Sequence, residues 1–192
     1  MTNISNLVFL SIILVVFIYF YMLYVSLIKK RNKLKEASAD VDVQLKKRYD
    51  LIPNILQMAA KFMAHEKELL TQIVNLRNDA VKQNFSTDPQ TQMDVEHALN
   101  SKLKDFWLNV ENYPDLKSNQ TMVQAMQTFN VAEEHIAAAH RFYNAAVTDL
   151  KNAVEIFPSS LIASIFNIKA DMPFFQAEEA EKKRIDSKDF FK

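Results

Sequence analysis

The residues best suited to chemistry are four histidines, His65, His97, His135 and His140, set among scattered carboxylates with no cysteine anywhere. His65–Glu66 opens like the HExxH helix of zinc proteases, but the second imidazole would fall where Leu69 stands, so a ligand is missing. Di-iron bundles need a Glu three residues before a His on each of two helices. The residues three before these histidines are Phe62, Asp94, Ala132 and Ala137, so no such pair exists, and Asp94–His97 reads as a solvated helix face. No spacing brings Ser, His and Asp together on one strained turn. The absence of Cys removes disulfides, thiolate zinc sites and cysteine nucleophiles. The absence of Gly removes the glycine-rich loops that cradle phosphates. With formal net charge +0, nothing in the balance points to nucleic acid. No catalytic residue, metal or cofactor is expected.

Glu133 and His140 stand apart because they occupy core-like positions of a heptad-patterned helix, with Arg141 beside them. Burying charge is costly unless it is paired. A polar layer inside a bundle fixes register, and that is the expected role. A small-ligand or catalytic site near Glu133, His140 and Arg141 is the alternative.

The helix that carries these residues repeats Met122, Met126, Phe129, Ile136, Tyr143, Leu150 and Phe157, with Ala125, Ala132, Ala139, Val147 and Val154 between. Its roughly 38 residues make a rod of about 57 Å, which Pro158 ends. Ser159 or Ser160 is then expected to cap a short helix, LIASIF. Upstream, apolar residues step by three and four through Leu34, Ala37, Val41, Leu45, Tyr49 and Ile52. The same phase runs on through Leu56, Ala59, Met63, Leu70, Ile73, Leu76 and Ala80, so a long helix kinked at Pro53 is expected. QNFSTDPQ, 83–90, is a break at which Thr87 or Asp88 can cap the next helix. That helix buries Met93, Leu99, Leu103, Phe106 and Val110 and runs to about Asn112, with Trp107 as core. YPDLKSN, 113–119, is a second corner, where Ser118 or Asn119 can cap the heptad-patterned helix. A polar tail begins near Gln176, with AEEAEKKR read as a helical candidate.

Ahead of these helices, residues 7–28 read LVFLSIILVVFIYFYMLYVSLI, without charge, Pro or Gly. As a helix these 22 residues span roughly 33 Å, enough for a hydrocarbon core of about 30 Å. The start, MTNISN, is uncharged and no cleavage pattern comes after the apolar run, so the segment reads as an uncleaved anchor in the lipid bilayer. Lys29, Lys30, Arg31, Lys33 and Lys35 lie directly behind it. They place residues 1–6 outside and the rest inside, in the plasma or inner membrane. The fold class expected is all-α: a transmembrane helix, an antiparallel up-and-down four-helix bundle over 29–176, and the tail 177–192.

Two segments look unlike anonymous helix: DVDVQLKKRYDLIPN around Pro53, and the YPDLKSN corner. With AHE at 64–66, IAAAHRFYNAAV at 136–147 and IFPSSLIASIF at 156–166, they make the chain resemble the LemA family of bacterial membrane-anchored helical proteins. The motifs occur in the family's order over roughly residues 1–176. The resemblance implies a four-helix, bromodomain-like bundle behind one membrane helix, with the N-terminus outside and no established activity or cofactor. The chain departs from the family's pattern at three points. His140 replaces the first Arg of I-A-x-A-R-R-x-Y-N, Tyr49 stands where His is common, and Asn167–Ile168 replace a Gly-Phe.

The function expected is therefore a non-enzymatic scaffold or adaptor, in envelope stress or signalling, that shows its cytoplasmic bundle to protein partners. The candidate contact residues are Asp50 and Pro53 at the first motif, and Tyr113, Pro114, Asp115 and Lys117 at the corner. Self-association is a further expectation. An extracytoplasmic accessory in secretion or transport is a third reading, with the bundle on the opposite side.

Overall fold

The structure, a computed structural model, describes residues 2–175 and the side chains of 4–175. The suggested tail helix lies outside the described residues. Those residues form six helices and no strand: α1 (Thr2–Ala59), α2 (Lys67–Lys82), α3 (Pro89–Val110), α4 (Pro114–Lys117), α5 (Gln120–Glu155) and α6 (Ser159–Ile165). Helices α1, α2, α3 and α5 make the bundle.

Helix α1 is a single rod of 58 residues, about 87 Å. Residues 4–22 are exposed throughout, and burial begins at Leu23 and is complete at Leu27. By length and composition this first stretch is apolar enough to cross a membrane, and it is no core helix, because none of it is buried. The last six residues of the expected span, 23–28, already belong to the bundle. No linker separates the apolar stretch from the domain.

The expected core stripe is present: Leu34, Ala37, Val41, Leu45, Tyr49 and Ile52 are all buried. Pro53 does not end the helix. It removes the N–H that would have bonded the Tyr49 carbonyl, and that carbonyl instead accepts from Arg77 Nε on α2 at 3.0 Å. The break comes later, at 60–66, inside what the phase predicts as continuous helix. Met63 in this turn is fully buried, which keeps the apolar count in step while the backbone reverses. His65 and Glu66 sit in the turn, so even the half-motif for zinc lacks its helix.

Asp42 on α1 fixes the next connection by accepting from the Phe85 and Ser86 N–H groups at 2.7 and 3.1 Å. Asp88 caps α3, accepting from Thr91 N at 3.1 Å. Asn119 caps α5 by accepting from Thr121 N and Met122 N. Asp88 and Asn119 are thus the choices the chain makes at these two corners. At α6 the expected serine cap fails, because Pro158 holds the N-cap position without a side-chain bond. The end of α6 explains one departure from the family pattern. Asn167 adopts φ 50°, while its N–H reaches Ser164 O and Ile168 N–H reaches Ala163 O. That is a Schellman turn with asparagine in the left-handed seat usually taken by glycine.

Two ion pairs set the antiparallel register of α1 and α5: Lys33 to Asp149 at 3.0 Å and Arg48 to Glu133 at 3.0 Å. Residue for residue, this brings Ile156 and Phe157 level with Val25 and Tyr24, and the α4 corner to the far end. Phe157, expected as the last core position of α5, lies beyond the helix and is 74% exposed.

A buried arginine layer as the candidate functional site

Arg48 lies one residue before Tyr49 on the buried face of α1 and is 1% exposed. Facing it, α3 presents Gln92, Glu96 and Asn100, spaced by four so that they form one stripe. Arg48 Nη1 donates to Asn100 Oδ1 at 2.9 Å and to Glu133 Oε1 at 3.0 Å, and Nη2 pairs with Glu96. Tyr49 donates its hydroxyl proton to Glu96 and accepts from Gln92 Nε2 at 2.7 Å. With Arg77 of α2 on the Tyr49 carbonyl, all four long helices meet here.

The electrostatics arise from this packing. Burial opposes charge on Arg48, but Glu96 and then Glu133 outweigh it and hold its pKa above the ordinary value. Tyr49 is pushed far up, first by burial and then by Glu96, so it stays a hydrogen-bond donor. His140, on the same face of α5 as Glu133, is lowered to about 4 by burial and then by the Arg48 charge. It is therefore neutral at physiological pH.

One side of the layer is closed by the chain after α6. Residues 167–175 run back along α5, burying Ile168 and Ala170. Asn144 grips the Phe175 backbone twice, donating to its carbonyl and accepting from its N–H, both at 2.9 Å. Tyr143 donates to Pro173 O at 3.0 Å, and burial pushes its phenol up to about 12. The Phe175 ring lies flat on His140, with centroids 3.5 Å apart and planes inclined by 18°. It also stacks on Phe85. Three buried polar atoms have no hydrogen-bond partner among the described residues: Arg48 Nε, Gln92 Oε1 and His140 Nε2.

Of the residues expected in a buried layer, Glu133 is partly exposed but reaches Arg48, His140 is half-buried under Phe175, and Arg141 is exposed on the outer face of α5. Counted from buried Ile136 and Tyr143, Arg141 falls at the heptad position opposite the core-facing seam, whereas His140 borders that seam. Arg48, Gln92, Glu96 and Asn100 complete the layer. Their signal was available in phase: Arg48 sits three residues from Leu45 and four from Ile52, and Gln92 and Glu96 fall among Met93, Leu99 and Leu103.

The candidate contact residues do not come together. Asp50 and Pro53 are exposed on α1, and Asp50 reaches Arg77 at 3.7 Å. At the far corner Pro114, Asp115 and Lys117 are exposed, Tyr113 is half-buried against the core, and Leu116 is fully buried. Lys117 pairs with Glu111. Among the described residues no three His, Asp or Glu side chains are grouped to hold a metal ion.

Fold and layer define an all-α protein: four long helices locked around a shared buried arginine, continuous with one apolar N-terminal helix. Residues 37–188 match the LemA family, and the chain belongs to that family. It is 22% identical to Protein LemA of Metamycoplasma hominis over 190 residues, covering 97% of this chain and 85% of that one.

Proposed function

We propose that this is a single-pass membrane protein whose bundle faces the cytoplasm and serves protein partners as a scaffold without catalysis of its own. One observation carries the reading: the buried charge and the buried hydroxyl of the layer are engaged by neighbouring side chains, and its imidazole is covered. Arg48 is engaged by Glu96, Glu133 and Asn100, Tyr49 is held protonated, and neutral His140 is covered by Phe175. What the bundle offers outward is the α4 corner, a rigid platform because buried Leu116 pins it between α3 and α5. Lys and Arg behind the apolar stretch support the inward orientation. A photo-crosslinker placed at Asp115 in cells is expected to capture one discrete partner, and Lys117→Glu to abolish that capture without lowering the melting temperature. Equal capture with and without the change would remove the corner from the proposal.

A second reading is favoured by the unpartnered His140 Nε2, Gln92 Oε1 and Arg48 Nε: a small polar ligand within the layer. Its test is a thermal shift against a metabolite and metal panel. A shift that is lost in His140→Phe would establish this reading, and no shift across the panel would sink it.

A further inference from the structure

The foot of the bundle carries a second feature that its core does not account for. From Ile156 to Ile168 the chain reads IFPSSLIASIFNI, thirteen residues without a charge. One side of α6 is core, with Ile162 and Ala163 buried. The other side is apolar and bare: Phe157 is 74% exposed and Ile165 73%, with Ile156, Leu161 and Phe166 also exposed. Leu161 and Ile165 are four apart and share a helix face, and Phe157 lies in the turn that leads into α6. A soluble surface rarely gathers so many large apolar side chains.

The position of this patch names what covers it. The Phe166 ring packs on Tyr24 with centroids 4.5 Å apart. Ile156 lines one groove with Leu23, Leu27 and Lys30 of α1. The patch therefore stands at the level where α1 passes from its bare apolar stretch, 4–22, into the bundle, and it is continuous with that stretch. The exposed basic residues Lys29, Arg31 and Lys35 come next along α1, as suits an anionic headgroup layer.

We propose that α6 and its flanks form a membrane-inserted foot: Phe157, Leu161, Ile165 and Phe166 sit in the bilayer interface and seat the bundle directly on the lipid surface. This rests on the reading of residues 4–22 as a membrane span. The foot turns a single tether, which would let the bundle swivel, into a two-point mount. Amphipathic segments of this kind bury one face at the boundary between headgroups and acyl chains.

The absence of cysteine makes a clean test possible. Single cysteines replacing Phe157, Leu161, Ile165, Val16 and Asp115 are spin-labelled in the full chain, reconstituted in vesicles of phosphatidylethanolamine and phosphatidylglycerol. Collision with oxygen and with an aqueous nickel chelate then reports depth. The labels at 157, 161 and 165 are expected to lose nickel access relative to 115 and to approach the oxygen access at 16. Nickel access at the foot equal to that at 115, with 16 still in lipid, overturns the foot and leaves the span intact. Nickel access at 16 as well overturns both. Low access to both reagents at the foot, with spin–spin broadening between chains, shows a second copy covering the patch and also overturns the proposal.

Discussion

The middle of the bundle and its foot break the burial rule in opposite directions. Around Arg48 the protein hides charge in its interior, and around α6 it displays large apolar side chains on its surface. Buried polar groups and exposed apolar patches are the informative exceptions in a fold, but the two differ in where compensation lies. Arg48 is answered from within, by Glu96, Glu133 and Asn100. Phe157, Leu161 and Ile165 have no answer among the described residues, so theirs must come from outside. The interior exception is thus a structural lock, and the surface exception is an interface.

The largest expected effect breaks the lock. Arg48→Met leaves Glu96 buried without its cation and is expected to cost about 3–5 kcal/mol, measured by urea unfolding in detergent. Adding Glu96→Gln to it removes the stranded charge and is expected to restore a large part of the loss. A double variant as unstable as the sum of the singles would mean that the two side chains are not coupled.

His140 sharpens the same side of the comparison. Its folded pKa, about 4, lies below the ordinary 6.5, so the unfolded chain binds the proton more readily. The stability it contributes is complete above about pH 6.5 and is lost as pH falls towards 4, up to about 3 kcal/mol. Melting temperature against pH checks this, and His140→Phe is expected to flatten the slope in that window. Standing where the family pattern has Arg, His140 therefore titrates below the physiological range.

Asn144→Ala removes both bonds to the Phe175 backbone and is expected to cost about 1–3 kcal/mol. Hydrogen exchange at 168–175 should rise well before that of α5. Smaller still, Asn167→Ala is expected to cost about 1 kcal/mol, because alanine tolerates φ 50° less well than asparagine. Asn167→Gly should be neutral or stabilising in the same thermal melt. By contrast, Phe157→Ser should leave the detergent-solubilised bundle's melting temperature unchanged, since that ring supports no core.

Periodicity made the core legible, because one apolar stripe per helix is what the buried faces of α1, α3 and α5 require. It failed where two different backbones keep the same count. Met63 continues the phase of α1 from within a turn, so the break at 60–66 is invisible to spacing. It failed again at Phe157, where a heptad position falls just past the helix end and turns outward. In the layer, Glu133 and His140 were legible as polar residues at core positions. Arg48 carries the phase of the core stripe inside a run of charges, but its partners lie 48 and 85 residues along the chain, a proximity that only packing creates. Arg141 was misplaced because, five residues after Ile136 and two before Tyr143, it stands opposite the core-facing seam of α5.

The proposed seating puts the bundle on the cytoplasmic face of a membrane, foot down and α4 corner outermost. It is tested most directly by a membrane-impermeant maleimide applied to cells carrying Asp115→Cys in this otherwise cysteine-free chain. The expected result is no labelling in intact cells and full labelling once they are permeabilised. Labelling of position 115 in intact cells would contradict the orientation and place the bundle outside.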